Sequence, residues 1–279
     1  MSRQMKTMLK KRYGQHFLRD TGILNRIVAL IQPTRRDLML EVGGGDGALS
    51  ARLAPNVFRL LTLEIDGDLI PALVRALAPH PNAVVVPEDF LSADLSAIVS
   101  PYLEPGLRLR IVGNLPYNIG TAIIERLLLW PMPVEDMNFM LQLETAERIA
   151  SVPGSRQYGF FSVFCQHYCE IKMGFKVSPA CFVPRPKVES AMIILRPRSG
   201  ACDPELDNDF LELTKAAFSY RRKKLLNSLR RDQHLGSMAR EILAQAGIDG
   251  ALRAEDLTVH QYERLARVYH EHKEKSRKA

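Results

Sequence analysis

The 279-residue sequence lacks the features that mark secreted, membrane-bound or metal-dependent proteins. Its four cysteines show no paired spacing, and on a helix His167 would face away from Cys165 and Cys169, so we expect reduced thiols and no metal site. No uninterrupted apolar run is long enough to cross a bilayer, because Glu125 and Arg126 break the best candidate. The basic N-terminus precedes no apolar core, so it does not resemble a secretory signal. We therefore predict a cytoplasmic protein without a membrane partner.

Positive charge is unevenly distributed along the chain, whose formal net charge is +7. Residues 1–13 contain five basic residues and no acid, and a second basic cluster comprises Arg221, Arg222, Lys223 and Lys224. Basic clusters on a soluble protein favour a polyanionic partner such as a nucleic acid. For the termini, a solvated tail is an equally good explanation.

Strand and helix patterns alternate from residue 20 to residue 196, and only helical periodicity follows. This order predicts an α/β fold with a doubly wound, mostly parallel sheet, an antiparallel hairpin of late strands at one edge, and a small all-helical domain behind it. We expect a basic arm at 1–13, an α/β domain at 14–198 and a helical domain at 199–279. The predicted strands are 38–42, 59–64, 83–86, 107–112, 137–143, 170–177 and 188–196. The predicted helices are 20–32, a short one ending at 54, 68–78, 118–130, 144–150, 160–169, 205–218, 223–229, 238–246 and 259–269.

The stretch Asn114-Leu115-Pro116-Tyr117 follows a predicted buried strand and precedes a helix. Pro116 ends the strand because it lacks an N–H group, which places an amide, backbone carbonyls and an aromatic ring at a strand's carboxyl end, where open α/β sheets bind ligands. An amide oxygen and a carbonyl can both accept hydrogen bonds from one exocyclic amino group, while Tyr117 stacks on the heterocycle. A plain Pro-Tyr turn is the alternative explanation.

A glycine-rich turn follows the first strand of the sheet. Gly43, Gly45 and Ala48 satisfy the G-x-G-x-x-A dinucleotide pattern, so a nicotinamide or flavin enzyme is one hypothesis. However, Glu41 and Asp46 flank the glycines, and their charge would repel a pyrophosphate. A cationic cofactor without phosphate, such as S-adenosylmethionine, fits this turn better.

Two further acids end the next two predicted strands. Glu64 lies nineteen residues after Gly45, at the position where a carboxylate can bind both ribose hydroxyls. Asp89 follows the third strand and could accept a hydrogen bond from an adenine amino group. Either acid alone could be a solvated strand end or a helix cap, but with Glu41 they favour a nucleoside site.

In this order, the motifs resemble those of the ribosomal RNA adenine N6,N6-dimethyltransferases, which modify two adjacent adenosines near the 3′ end of small-subunit rRNA. The resemblance covers about residues 10 to 230, with small departures at Gly44, Asp46 and Gly120. The matching segments are Gly14–Leu18, Glu41–Gly45, Glu64–Asp66, Glu88–Phe90, Asn114–Tyr117, Phe182–Val188 and Ala217–Lys224.

The resemblance implies a Rossmann-like S-adenosylmethionine-dependent methyltransferase domain followed by a helical RNA-binding domain. It implies an enzyme of ribosome biogenesis, acting as a monomer on 16S-type rRNA of the small ribosomal subunit without metal. The cofactor-binding residues implied are Gln15, His16, Leu18, Glu41, Gly43, Gly45, Glu64, Asp89 and Asn114. The catalytic residues implied are Asn114, Leu115, Pro116 and Tyr117, with Phe182 on the second face of the target base. The RNA-binding residues implied are Arg221, Arg222, Lys223 and Lys224.

Other functions share parts of this pattern. A large-subunit rRNA methyltransferase of the macrolide-resistance type has the same catalytic fold, although the basic cluster after Phe218-Ser219 favours the small-subunit enzyme. A non-catalytic RNA-binding assembly factor could retain the cofactor site, and a DNA adenine methyltransferase shares the chemistry. A dinucleotide oxidoreductase would leave the Asn114–Tyr117 turn unexplained.

Overall fold

The computed structural model of the protein describes residues 16–198, 204–220 and 222–278; the side chains of residues 204 and 276–278 are not described. The predicted arm at 1–13, the cofactor residue Gln15 and the RNA-binding residue Arg221 therefore lie outside the described residues. Within these ranges, no helix combines the length and apolarity needed to cross a membrane.

The described chain contains strands and helices close to the predicted ones, together with a few short elements. The strands are β1 (Phe17–Leu18), β2 (Asp37–Val42), β3 (Arg59–Leu63), β4 (Ala83–Val86), β5 (Arg108–Asn114), β6 (Val134–Gln142), β7 (Cys169–Val177), β8 (Phe182–Val183) and β9 (Ser190–Pro197). The α-helices are α1 (Thr21–Ile31), α2 (Ser50–Leu53), α3 (Ile70–Leu77), α4 (Leu95–Val99), α5 (Gly120–Leu128), α6 (Leu143–Ile149), α7 (Phe160–Tyr168), α8 (Pro204–Phe218), α9 (Leu225–Leu229), α10 (Ala239–Gln245) and α11 (Val259–Lys278).

The large sheet has the strand order β4-β3-β2-β5-β6-β9-β7. The five neighbouring strands β4, β3, β2, β5 and β6 are parallel. Strand β9 runs antiparallel to β6, with Gln142 opposite Ser190. The predicted mostly parallel sheet with late strands at one edge is confirmed. Because β9 is reversed, its first residue lies at the rim where the parallel strands have their carboxyl ends.

Local sequence explains why the first helix and strand form where they do. The Asp20 side chain accepts a hydrogen bond of 2.9 Å from the Ile23 N–H, which satisfies a donor at the start of α1. The helix then buries Leu24, Ile27 and Ile31 on one face. All six residues of β2 are buried, as expected for a parallel strand covered on both faces.

A buried charge network joins three strands at the end of the sheet opposite the glycine loop. Arg110 of β5 donates to Asp136 of β6 at 2.8 and 2.7 Å and to Asp37 of β2 at 3.1 Å. Its side chain is 7% exposed. Such a network fixes strand neighbours, because removing one partner would leave an unpaired buried charge.

The chain forms two compact units, and their boundaries differ from the predicted division at residue 198. The first comprises the described residues up to Ala146 together with Lys172–Pro197, and the second comprises Glu147–Ile171 together with the described residues from Arg198 onward. In the second unit, Tyr158 and Val163 are fully buried among the C-terminal helices, and the Tyr158 hydroxyl donates to the Leu257 carbonyl at 3.0 Å. The sequence pattern predicted helix α7 but not its packing partners.

Strands β1 and β8, for which the sequence carries no strand signal, pair antiparallel as a two-residue ladder. Leu18 lies opposite Phe182, and Phe17 lies opposite Val183. The ladder is extended by a hydrogen bond of 2.8 Å from the Arg19 N–H to the Cys181 carbonyl. Two residues are too few for any periodicity to show, so this pairing could not be predicted locally.

Candidate active site at the carboxyl ends of the parallel strands

A cavity of about 290 Å3 lies at the carboxyl ends of the parallel strands. This is where ligands bind in open α/β sheets. The cavity is lined by most of the residues that the sequence predicted to bind the cofactor or to act in catalysis. These are His16, Leu18, Glu41, Gly43, Gly45, Glu64, Asp89, Asn114, Leu115, Pro116 and Tyr117.

The glycine loop closes tightly over the end of β3. The N–H groups of Gly43 and Gly44 both donate to the Leu63 carbonyl, at 2.9 and 3.2 Å. A Cβ atom on Gly44 would lie 2.2 Å from the Thr62 Cγ2 atom, so a larger residue at this position requires Thr62 to move. This close approach gives a steric reason for glycine at this position.

Glu64 connects the glycine loop to the end of β3. One carboxylate oxygen accepts from the Gly45 N–H and the other from the Asp66 N–H, both at 2.8 Å. Gly45 has a φ of 58°, a left-handed conformation that directs its N–H toward this carboxylate at little steric cost. The pKa of Glu64 is raised above its ordinary value, because the effect of burial outweighs that of these hydrogen bonds, which lower it. Each oxygen keeps a lone pair that can accept from a ribose hydroxyl.

Glu41 is a second buried acid in the floor of the cavity. Its Oε2 atom accepts from the Ser50 hydroxyl at 2.5 Å and from the Thr62 hydroxyl at 3.0 Å. Burial raises the pKa of Glu41 to about 7, and the nearby charge of Glu64 contributes to the same direction. A cation bound in the cavity would favour the ionised form of this carboxylate.

The sequence suggested that the charge of Asp46 makes the glycine loop acidic, but in the structure a neighbouring cation offsets this charge. Its carboxylate forms an ion pair with the Arg19 guanidinium, which also lies 5.7 Å from the centre of the Phe17 ring. Arg19 therefore offsets the charge of Asp46. The acidic character of the cavity comes from its other carboxylates, among them the buried Glu41 and Glu64, neither of which pairs with a cation within the described residues.

The Asn114 side chain is oriented by the N-terminal segment. Its Nδ2 atom donates to the His16 carbonyl at 2.9 Å, which leaves the amide oxygen as the acceptor. The Pro116 carbonyl accepts from the Ile119 and Gly120 N–H groups at the start of α5. Within the described residues, no backbone N–H bonds to the Leu115 carbonyl, so this second acceptor is available for a ligand.

Tyr117 and His16 form an aromatic wall beside these acceptors. Their ring centres are 5.2 Å apart and their planes are tilted by 35°. His16 donates from Nδ1 to the Pro184 carbonyl at 2.7 Å, and the Tyr117 hydroxyl lies 2.9 Å from the Ser190 Oγ atom. Burial raises the pKa of Tyr117, so the phenol stays neutral at physiological pH.

The structure places Phe182 in the core and not on the cavity wall, so its assignment to the second face of the target base stays a prediction. Phe182 is 2% exposed and belongs to the buried cluster that contains Leu18 and Ile27. Phe182 is not one of the described residues that line the cavity. A phenylalanine in a proline-bounded loop resembles a stacking residue, but the β1–β8 pairing turns it into the core.

Two apolar side chains on the cavity wall belong to none of the predicted site residues. Ile65 is 46% exposed and Leu91 is 36% exposed, although both are large hydrophobic residues. They follow the acidic residues Glu64 and Asp89 closely in sequence, and both line the cavity. Exposed apolar groups beside convergent polar groups are typical of a site for a flat heterocycle.

Comparisons with known proteins show relatives along most of this chain. The model of a family described as ribosomal RNA adenine dimethylase matches residues 6–271. The ribosomal RNA small subunit methyltransferase A of Acidithiobacillus ferrooxidans is 41% identical over 258 residues, covering 92% of this chain and 93% of the relative. The protein of the same name from Chromohalobacter salexigens is 40% identical over 260 residues, covering 92% and 90%.

Two solved structures share the fold. A dimethyladenosine transferase from Plasmodium falciparum superimposes with a TM-score of 0.77 at 21% identity, covering 90% of this chain and 96% of that one. The 23S rRNA methyltransferase ErmE superimposes with a TM-score of 0.67 at 28% identity, covering 90% and 98%. The predicted Rossmann-like methyltransferase fold is confirmed.

Proposed function

The chain belongs to the ribosomal RNA adenine dimethylase family, and from this we propose that its cavity binds S-adenosylmethionine and presents the methyl group to an adenosine of small-subunit rRNA. The chain is an rRNA adenine dimethyltransferase, as its relatives named ribosomal RNA small subunit methyltransferase A indicate. We further propose that its targets are two adjacent adenosines near the 3′ end of that rRNA. One observation carries the proposal: the Asn114 amide oxygen and the Leu115 carbonyl are available acceptors in one cavity.

The acceptors suit an exocyclic amino group for a chemical reason. The lone pair of an adenine N6 atom is delocalised into the ring, so the amine is a weak nucleophile. Two acceptors that hold its two hydrogens favour the pyramidal geometry in which this lone pair is free to attack. Positioning and hydrogen bonding then supply the main catalysis.

The cavity's donor and acceptor groups fit the proposed cofactor. Glu41 and Glu64 are buried acids that would oppose a pyrophosphate but favour a cation. Glu64 would hold the ribose hydroxyls and Asp89 the adenine amino group, while Ile65 and Leu91 would flank the adenine ring. His16 and Leu18 would close over the cofactor beside the Gly43–Gly45 loop.

The chain's own residues prepare the target base in this mechanism. When bound, S-adenosylmethionine supplies an electrophilic methyl group on sulfur. The Asn114 and Leu115 acceptors hold N6 while the Tyr117 ring lies against the base. With N6 held there, the new carbon–nitrogen bond would replace the carbon–sulfur bond, S-adenosylhomocysteine would leave, and N6 would release one proton to solvent. In the second cycle only one N6 hydrogen remains, so one of the two acceptors suffices.

The helical unit offers a surface suited to RNA. Arg222, Lys223 and Lys224 are exposed in front of α9. Arg231 is also exposed, and its guanidinium lies 4.9 Å from the centre of the exposed Tyr220 ring. We propose that this surface contacts rRNA phosphates in the small subunit, with the protein acting as a cytoplasmic monomer.

Replacing Arg222, Lys223 and Lys224 with alanine is expected to weaken small-subunit rRNA binding by about tenfold to a hundredfold near physiological salt. For every phosphate that the variant no longer neutralises, the slope of log affinity against log salt should also fall by about 0.7 to 0.9. Binding isotherms at several salt concentrations measure both effects. The matched control removes three exposed cations of α11, Arg264, Arg267 and Lys275. Equal weakening in the two triple variants would contradict a specific RNA interaction.

The decisive experiment is transfer of labelled methyl groups from S-adenosylmethionine to small ribosomal subunits that lack the modification. We expect N6,N6-dimethyladenosine in nucleoside digests of the rRNA. Label on naked large-subunit rRNA would identify a large-subunit enzyme of the macrolide-resistance type instead. Measurable cofactor binding without transfer to either RNA would indicate a non-catalytic assembly factor. Label in nucleic acid that resists ribonuclease would indicate a DNA enzyme.

A further inference from the structure

We infer that Ser190 is a positioning residue for methyl transfer, acting through the Tyr117 hydroxyl. Its Oγ atom lies 2.9 Å from the Tyr117 hydroxyl oxygen. This inference rests on the proposed function, in which Tyr117 lies against the target base. Ser190 belongs to none of the motifs that carried the sequence analysis.

The reversed direction of β9 brings Ser190 to the catalytic rim. Ser190 begins β9 and lies opposite Gln142, the last residue of β6. Asn114 ends β5, the parallel neighbour of β6. A parallel strand in place of β9 would put its first residue at the other end of the sheet. The topology therefore supplies a polar group behind the Asn114–Tyr117 turn.

Burial makes this hydrogen bond a rigid one. Ser190 is fully buried, whereas Tyr117 is partly exposed and lines the cavity. A serine hydroxyl can donate or accept, so it can satisfy the phenol in either direction. With the serine hydroxyl removed, the phenol would lack its buried partner and the ring would gain torsional freedom.

The ring is held from two sides. The Ser190 hydrogen bond fixes the hydroxyl end, while the His16 ring lies 5.2 Å from the Tyr117 ring centre. His16 is itself fixed through Nδ1 to the Pro184 carbonyl at 2.7 Å. A stacking face held in this way keeps the target base, and thus N6, in the geometry needed for in-line attack.

Kinetics of a double-mutant cycle test the inference. We expect Ser190→Ala and Tyr117→Phe each to lower kcat about tenfold, because both remove the same hydrogen bond, with the KM for S-adenosylmethionine changed less than twofold. The double variant should be no slower than the slower single variant. The matched control is Ser228→Ala, because Ser228 is a buried serine of the helical unit whose hydroxyl has no hydrogen-bond partner among the described residues. This control should keep the wild-type kcat.

A spectroscopic readout separates this inference from the proposed function. In protein labelled with 13C at the tyrosine ζ carbon, the Tyr117 resonance, assigned by its disappearance in Tyr117→Phe, should shift in Ser190→Ala. A shifted resonance with unchanged kcat, or additive effects in the double variant, would overturn the positioning role. An unshifted resonance would show that the hydrogen bond is not formed in solution. Absence of transfer by the wild-type protein would instead refute the proposed function.

Discussion

Replacing Asn114 with alanine is expected to lower kcat for methyl transfer by about a hundredfold to a thousandfold, as for removal of one preorganised polar group from an active site. The variant lacks the amide oxygen that would accept from N6 and the Nδ2 donor that binds the His16 carbonyl at 2.9 Å. Cofactor affinity should fall less, by under about tenfold, because Glu41 and Glu64 remain. Single-turnover transfer and calorimetric cofactor titration measure the two effects separately.

A matched control exists four residues further along the chain. Asn118 is exposed and also lines the cavity, but it lies beyond the turn at Pro116. Asn118→Ala should therefore transfer methyl groups within about threefold of the wild-type rate, a change typical of a residue outside the reacting geometry. Near-normal turnover by Asn114→Ala would remove Asn114 from the mechanism.

Replacing Glu41 with glutamine is expected to stabilise the cofactor-free protein by on the order of 3 kcal/mol at pH 8. The pKa of Glu41 is about 7 in the folded protein, against an ordinary value of 4.5. Between pH 4.5 and pH 7 the folded state therefore binds more protons than the unfolded state. Stability of the wild type therefore falls as pH rises from 4.5 to 7 and is then constant, so far as this group decides it.

Urea unfolding of both proteins at pH 5 and pH 8 measures this effect. Glutamine can still accept from Ser50 and Thr62, so the packing is retained while the buried charge is removed. The stability difference should be largest at pH 8 and should fall to under about 1 kcal/mol at pH 5. A matched control is Glu125→Gln, an exposed acid of α5, which should change stability little at either pH. A difference between wild type and Glu41→Gln that does not depend on pH would contradict the expectation.

The same substitution should weaken binding of S-adenosylmethionine, and more strongly at pH 8 than at pH 6. At pH 8 the wild-type carboxylate is ionised and attracts a cation, whereas at pH 6 it is mostly protonated and resembles glutamine. The buried charge would therefore cost stability in the empty protein and contribute affinity in the loaded one. Calorimetric titration at both pH values tests this combination.

Much of the first unit could be predicted from local sequence. Strand β4 begins and ends at the predicted residues, and Asp20 caps α1 as its side chain suggested. The cavity collects residues from successive strand ends, because parallel strands necessarily bring their carboxyl ends to one rim. Asn114, Glu41 and Glu64 lie together for this reason.

Interactions between distant segments could not be predicted in the same way. The Arg19–Asp46 ion pair offsets the charge of one acid of the glycine loop. The pairing of Leu18 with Phe182 buries a ring that the loop sequence presents as a stacking residue. The Tyr117–Ser190 hydrogen bond depends on the direction of β9. In each case the side chains have ordinary local patterns, and only the tertiary arrangement decides what they touch.

The interleaving of the two units has a consequence for how the protein is made. The chain passes between them at residues 146/147, 171/172 and 197/198. During synthesis, Tyr158 and Val163 leave the ribosome well before Leu265 and Tyr269, which share their buried cluster. A polypeptide that stops at residue 198 would expose these apolar groups, the kind of surface that chaperones and proteases recognise. Chaperones and proteases would thus recognise a truncated chain by the exposed apolar residues near its middle, Tyr158 and Val163.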